Sequence, residues 1–150
     1  MYRILSPTAI LGYGFPRKSF ETAIRVELDL IAVDAGSVDA GPYYLGAGKP
    51  YVGRAALERD LGLLVRGALE RECPLIIGSA GFAGSRSGLA DTVDAVQRIL
   101  EDAGATGLKL AVIPSDVDPA KVRELLPDLE PFGRMPPLDP DSVSDSRIVA

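Results

Sequence analysis

Four short apolar runs alternate with segments of helical period along this chain, and that alternation constrains its fold more than any other feature. Ile4-Leu5 opens the series, and runs at 28–33, 74–77 and 108–113 follow. The last three each end in small polar turns: Asp34-Ala35-Gly36-Ser37, Gly78-Ser79-Ala80-Gly81 and Pro114-Ser115-Asp116. Strand, helix, strand, helix in this order predicts an α/β domain built on a mostly parallel sheet. The expected architecture is a three-layer, Rossmann-like sandwich. In such sheets every C-terminal strand end lies on one rim, and ligands bind in the crevice outside it. The polar turns are therefore expected to converge.

The helical segments are read from their apolar spacing. Leu57, Leu61, Leu64, Val65 and Ala68 form one stripe of a helix over 54–71, and Leu89, Val93, Val96 and Leu100 mark a second. Ser19 is a candidate N-cap for a short helix through Phe20, Ala23 and Ile24. Asp118-Pro119 opens another, with an acidic cap and proline at its first position. Glu58, Asp60, Glu70 and Glu101 read as solvated helix faces. Beyond Pro127 the prolines at 131, 136, 137 and 140 rule out a regular helix. The chain thus divides into an α/β domain at 1–128 and a proline-rich segment at 129–150, whose last residues, Arg147-Ile148-Val149-Ala150, read as the start of a truncated strand in a longer chain.

Composition removes several functions. The chain has 150 residues and no histidine, so it contains no Ser-His-Asp or Cys-His triad and no histidine-based metal site. Its one cysteine, Cys73, cannot form an intramolecular disulfide and precedes a strand, away from the expected site. A net charge of −5 argues against nucleic acid, which selects basic surfaces. No run approaches the roughly 20 apolar residues that span a bilayer. A cytoplasmic protein is expected, with no metal assigned and its cofactors unknown.

The candidate site residues come from the turns. Asp34 and Asp39 stand with Ser37 after the second strand, and a carboxylate there suits a general base or a ligand for a substrate hydroxyl. The alternative is an aspartate that satisfies loop amides. Gly78, Ser79 and Gly81 precede a helix whose amides and dipole favour an anion, although Gly78-x-x-Gly81-x-x-Gly84 matches neither the dinucleotide nor the P-loop pattern. Glycines needed only for a tight turn are the competing explanation. Ser6, Thr8 and Ser115 lie near other strand ends, and Tyr43 belongs to a long glycine-rich loop suited to closing over a pocket.

Ser6-Pro7-Thr8-Ala9-Ile10-Leu11-Gly12-Tyr13-Gly14-Phe15-Pro16, Val33-Asp34-Ala35-Gly36-Ser37, Gly41-Pro42-Tyr43-Tyr44-Leu45-Gly46 and Ile77-Gly78-Ser79-Ala80-Gly81 resemble the N-terminal region of acyclic terpene utilisation (AtuA-like) proteins. The resemblance implies bacterial catabolism of branched acyclic compounds or related acyl substrates, in longer chains that continue past Ala150.

Together these readings predict the N-terminal domain of a catabolic enzyme acting on a small carboxylated or acyl substrate, with Asp34 as its catalytic carboxylate. Ser6, Thr8, Ser37, Asp39, Tyr43, Gly78, Ser79, Gly81 and Ser115 would bind that substrate. The expected partners are a small molecule and either a second copy or the rest of a longer chain. A noncatalytic binding or oligomerisation domain is the alternative.

Overall fold

A computed structural model of the chain describes residues 1–37 and 43–146. Three strands, β1 (Ile4–Leu5), β2 (Leu30–Asp34) and β3 (Leu75–Gly78), form one parallel sheet in the order β1-β2-β3. Ile4 stands opposite Leu30, Ile31 opposite Leu75, and Asp34 opposite Gly78. Each parallel step needs a helical crossover. Helix α1 (Arg17–Ala23) links β1 to β2; α2 (Tyr43–Ala47) and α3 (Arg54–Arg71) lie between β2 and β3. Helix α4 (Arg86–Asp102) follows β3 and packs alongside α3. The chain is thus mixed α/β with a small parallel sheet.

The core lies on one side of that sheet. Ile31 and Val33 point into a cluster with Leu61, Leu64 and Val65 of α3 and Ala95, Val96 and Ile99 of α4. Full burial of each large aliphatic side chain contributes about 1.5–3 kcal/mol. Phe20 of α1 joins the cluster, and its ring presses on Gly67 of α3 so closely that a Cβ there would lie 2.8 Å away. The opposite face bears Ile4, Ala32 and Ile76, with Ile4 61% and Ile76 55% exposed. Parallel sheets normally have both faces covered. Here the described residues leave much of the second face open.

Several expectations need correction. Residues 108–113 form no strand, and Leu108, Leu110, Val112 and Ile113 are exposed. Alternating apolar residues supply strand propensity, but a strand also requires a ladder partner, and none of the described strands pairs with them. Helix α1 starts at Arg17 with Pro16 at its N-cap position, so Ser19 lies inside the helix rather than capping it. The buried positions of α4 are Thr92, Ala95, Val96 and Ile99, with Leu89, Val93 and Leu100 half-buried, so the face turned to α3 is rotated from the expected stripe.

The helix expected after Asp118 is present, and the proline-rich segment beyond it carries one more. Asp118 caps α5 (Pro119–Leu125) by accepting from the Ala120 amide at 2.8 Å, and a 3-10 turn spans Leu126–Asp128. A further helix, α6 (Pro140–Asp145), starts within the segment expected to lack helix. Pro140 occupies its first turn, where a missing N–H costs nothing, and Asp139 caps the Asp141 amide. Helix α6 packs on α5, burying Val143 and Val122. The strand expected at 147–150 lies outside the described residues.

Candidate functional site

At the C-terminal rim of the sheet, the loops after β2 and β3 meet the first turns of α3 and α4. Ala35 follows β2 directly, and its amide donates to the Gly78 carbonyl at 2.8 Å, tying the two strand ends together. Beyond β3 the chain folds into a compact turn in which Ser79, Gly81 and Phe82 all have positive φ. The Phe82 amide donates to the Ser79 carbonyl at 2.9 Å. Gly81 lies against Gly88 in the first turn of α4, where a Cβ would collide with the Gly88 backbone. Glycine is required at position 81 for this packing. Ser85 caps α4 by accepting from the Gly88 amide at 3.1 Å.

Beside these contacts lies a partly open pocket of about 80 Å³. Leu11, Ala35, Pro50, Val52, Leu57 and Phe82 give it mainly apolar walls; Gly81 and Gly88 contribute backbone, and Arg54, Asp91 and Thr92 supply its polar side chains. The Thr92 hydroxyl donates to the Gly88 carbonyl at 2.9 Å. Arg54 is engaged on the surface of α3 and α4. Its Nε donates to Glu58 at 2.8 Å and its Nη2 to Asp94 at 3.2 Å. The hydrogen bond to Glu58 is the largest cause that raises its pKa; burial opposes this, and the charges of Glu58, Asp94 and Asp91 add to it. With its cation shared among these carboxylates, Arg54 offers little net attraction to an incoming anion. The pocket suits an apolar group with an uncharged polar end.

An aromatic layer extends from the pocket wall at Phe82. Phe82 stacks on Tyr51 with ring centroids 4.7 Å apart and 20° between planes. Tyr44 meets both rings edge-on, and Tyr13 donates to or accepts from Tyr51 through a hydroxyl contact of 3.0 Å. The loop that carries Leu11 into the pocket is fixed from below by Asp60. This carboxylate is wholly buried and accepts from the Gly12 and Gly14 amides at 2.8 and 2.9 Å, while Arg59 Nε donates to its other oxygen. Asp60 is therefore a buried loop anchor and not part of a solvated helix face.

Among the described residues expected to form the site, Gly81 alone lines this pocket. Asp34 lies at the same rim but is exposed, and its Oδ1 accepts from the Gly36 amide at 2.8 Å, which is the loop-satisfying arrangement. Gly78 and Ser79 are exposed beside it. Ser37 is half-buried at the end of the same loop. Ser115 donates to the Gly84 carbonyl at 3.1 Å, which brings the 114–116 turn to the loop after β3. Thr8 closes a local turn through contacts with Ile10. Ser6 borders a separate groove against Phe15 and Phe20. Tyr43 is exposed, packs edge-on against Tyr44 and accepts from Lys49 Nζ. Asp39 lies outside the described residues.

Reading the turns for polar residues missed Leu11, Val52, Leu57 and Phe82, since apolar residues are ordinarily assigned to the core. The available signal was their position: Leu11, Val52 and Phe82 sit in loops rather than in helical stripes. Among the described residues, no group of three or more His, Cys, Asp or Glu side chains is placed to hold a metal ion, and no helix is long and apolar enough to cross a membrane. No family model, no curated protein and no solved structure matches the chain.

Proposed function

We propose that this chain is the substrate-holding α/β domain of a cytoplasmic catabolic enzyme, and that its rim pocket takes the apolar end of a small acyl compound. The observation that carries this reading is the mainly apolar cavity between Leu11, Leu57 and Phe82 at the carboxyl ends of parallel strands, where this class of sheet binds ligands. Residue blocks similar to AtuA-like proteins supply the catabolic context. An acyl amide or thioester fits the electrostatics better than a free carboxylate, because Arg54 is already shared by Glu58 and Asp94. Asp34 enters this proposal as a loop-ordering residue at the rim, outside the pocket wall.

Thermal unfolding in the presence of butyramide, isobutyramide and butyrate tests the reading. The amides should raise the melting temperature more than butyrate does. Leu57→Trp, which fills the pocket from α3, should abolish the shift while retaining helical circular dichroism. Equal shifts in the filled variant would remove the pocket from consideration.

A second reading rests on a different observation. Ile4, Ala32 and Ile76 leave one sheet face apolar and incompletely covered, and exposed Leu110, Val112 and Ile113 add to the apolar surface. Exposed apolar surface of this kind is a feature of interaction sites. On this reading a second copy or further chain supplies the missing layer of a three-layer, Rossmann-like sandwich, and the domain serves assembly. Sedimentation over a range of concentrations separates the two: reversible self-association without amide binding favours assembly.

A further inference from the structure

We infer that Phe82, backed by Tyr51, is a length gate that restricts the rim pocket to short acyl chains; this inference rests on the proposed reading of the pocket. Three observations meet at this residue. Phe82 is 7% exposed and lines the pocket, so its side chain bounds part of the space open to a ligand. Its φ of +74° is a conformation that a bulky side chain rarely adopts. The surrounding structure imposes it: the Phe82 amide is held by Ser79, and its carbonyl lies where a Cβ on Gly36 would come within 2.6 Å. Strained residues held this firmly are concentrated at ligand clamps. Finally, the ring cannot retreat freely, because Tyr51 stacks on it at 4.7 Å and Tyr44 meets it edge-on at 6.0 Å.

The space in front of the gate is small. At about 80 Å³ it is well below the ~150 Å³ of an apolar cavity that accepts benzene, so it seats a short aliphatic group, and the remainder of a longer chain must either displace Phe82 or stay in solvent. Rotation or removal of the ring would extend the cavity toward the aromatic layer.

The test uses two variants and the series acetamide, butyramide, hexanamide and octanamide, with Kd obtained by calorimetry. In the unsubstituted chain, affinity should rise to butyramide and then fall. Phe82→Gly removes the ring and suits the positive φ, so affinity should continue to rise through octanamide by about fourfold per methylene admitted. Tyr51→Ala leaves Phe82 in place but removes its backing, and should shift the preferred length in the same direction. It keeps the test decisive if Phe82→Gly does not fold. An unchanged order of affinities in the folded variants overturns the gate and leaves the pocket intact. Absence of binding to every amide in the unsubstituted chain overturns the pocket, and the gate with it.

Discussion

Asp60 on α3 holds the loop at Gly12 in place, accepting its amide at 2.8 Å across 48 residues of sequence. The same oxygen accepts from Gly14 at 2.9 Å, so one carboxylate satisfies two donors in a turn that α3 covers. Gly12 has a φ of +99°, and a Cβ there would collide with Val52. The anchor and the glycine together fix Leu11 in the pocket wall and Val52 beside it.

Asp60→Ala should destabilise the fold by about 3 kcal/mol, since each unpaired buried donor costs roughly 1–3 kcal/mol. Asp60→Asn keeps one oxygen for both amides but turns an NH2 donor toward Arg59 Nε in place of the second oxygen, so it should cost less than Asp60→Ala, about 1–2 kcal/mol. Urea denaturation of both variants provides the measurement. Equal losses would show that the charge, and not the amide cradle, stabilises this loop.

Gly81 and Gly104 both have positive φ, but their surroundings differ. A Cβ at Gly104 would meet nothing within 4 Å, so Gly104→Ala should cost only the left-handed backbone penalty of about 1–2 kcal/mol. Gly81→Ala adds a collision with the Gly88 backbone, and overpacking of this kind costs a further ~1–3 kcal/mol. The melting-temperature loss for the Gly81 variant should therefore be the larger, and amide binding should be lost with it because Gly81 lines the pocket.

The contrast between Asp60 and α3 shows what the sequence could reveal. The bounds of α3 and its stripe of Leu61, Leu64, Val65 and Ala68 follow from local spacing, a signal contained within the helix itself. The same logic assigns Asp60 to solvent, because its partners lie 46 and 48 residues away and are backbone amides with no sequence signature. The convergence of Asp34 and Gly78 at one rim was legible from strand direction alone, and the two stand directly opposite each other. The pocket wall was not, because an apolar residue in a loop, as at Val52 and Phe82, does not reveal what it faces until that loop is placed against the strand ends.

Burial pushes the Cys73 thiol above its ordinary value of 9.0, with Asp29 adding a smaller rise and hydrogen bonding and Arg71 opposing. The folded chain therefore holds this proton more tightly than the unfolded chain. Below the unfolded value both states are protonated, and the contribution to stability is fully present. As pH climbs through that value, only the unfolded state ionises, and stability falls until the folded thiol also titrates. Cys73→Ala should flatten this alkaline decline relative to the unsubstituted chain. Alkylation by iodoacetamide at neutral pH should be slow in the folded protein and much faster in urea.

Residues 108–113 provide the last test, because their sequence and their position in the fold disagree. Leu108, Leu110 and Val112 alternate as a half-buried strand would, yet all three are exposed and Ile113 is 82% exposed. If they formed a core strand, Leu110→Lys would remove a buried aliphatic group at a cost of about 2–5 kcal/mol. In the unpaired arrangement the substitution should change stability by no more than about 0.5 kcal/mol, as at other surface positions. Denaturation at low protein concentration measures this directly. If the apolar surface also mediates assembly, the same variant should weaken self-association at high concentration, since charged residues block pairing at exposed strand-like segments.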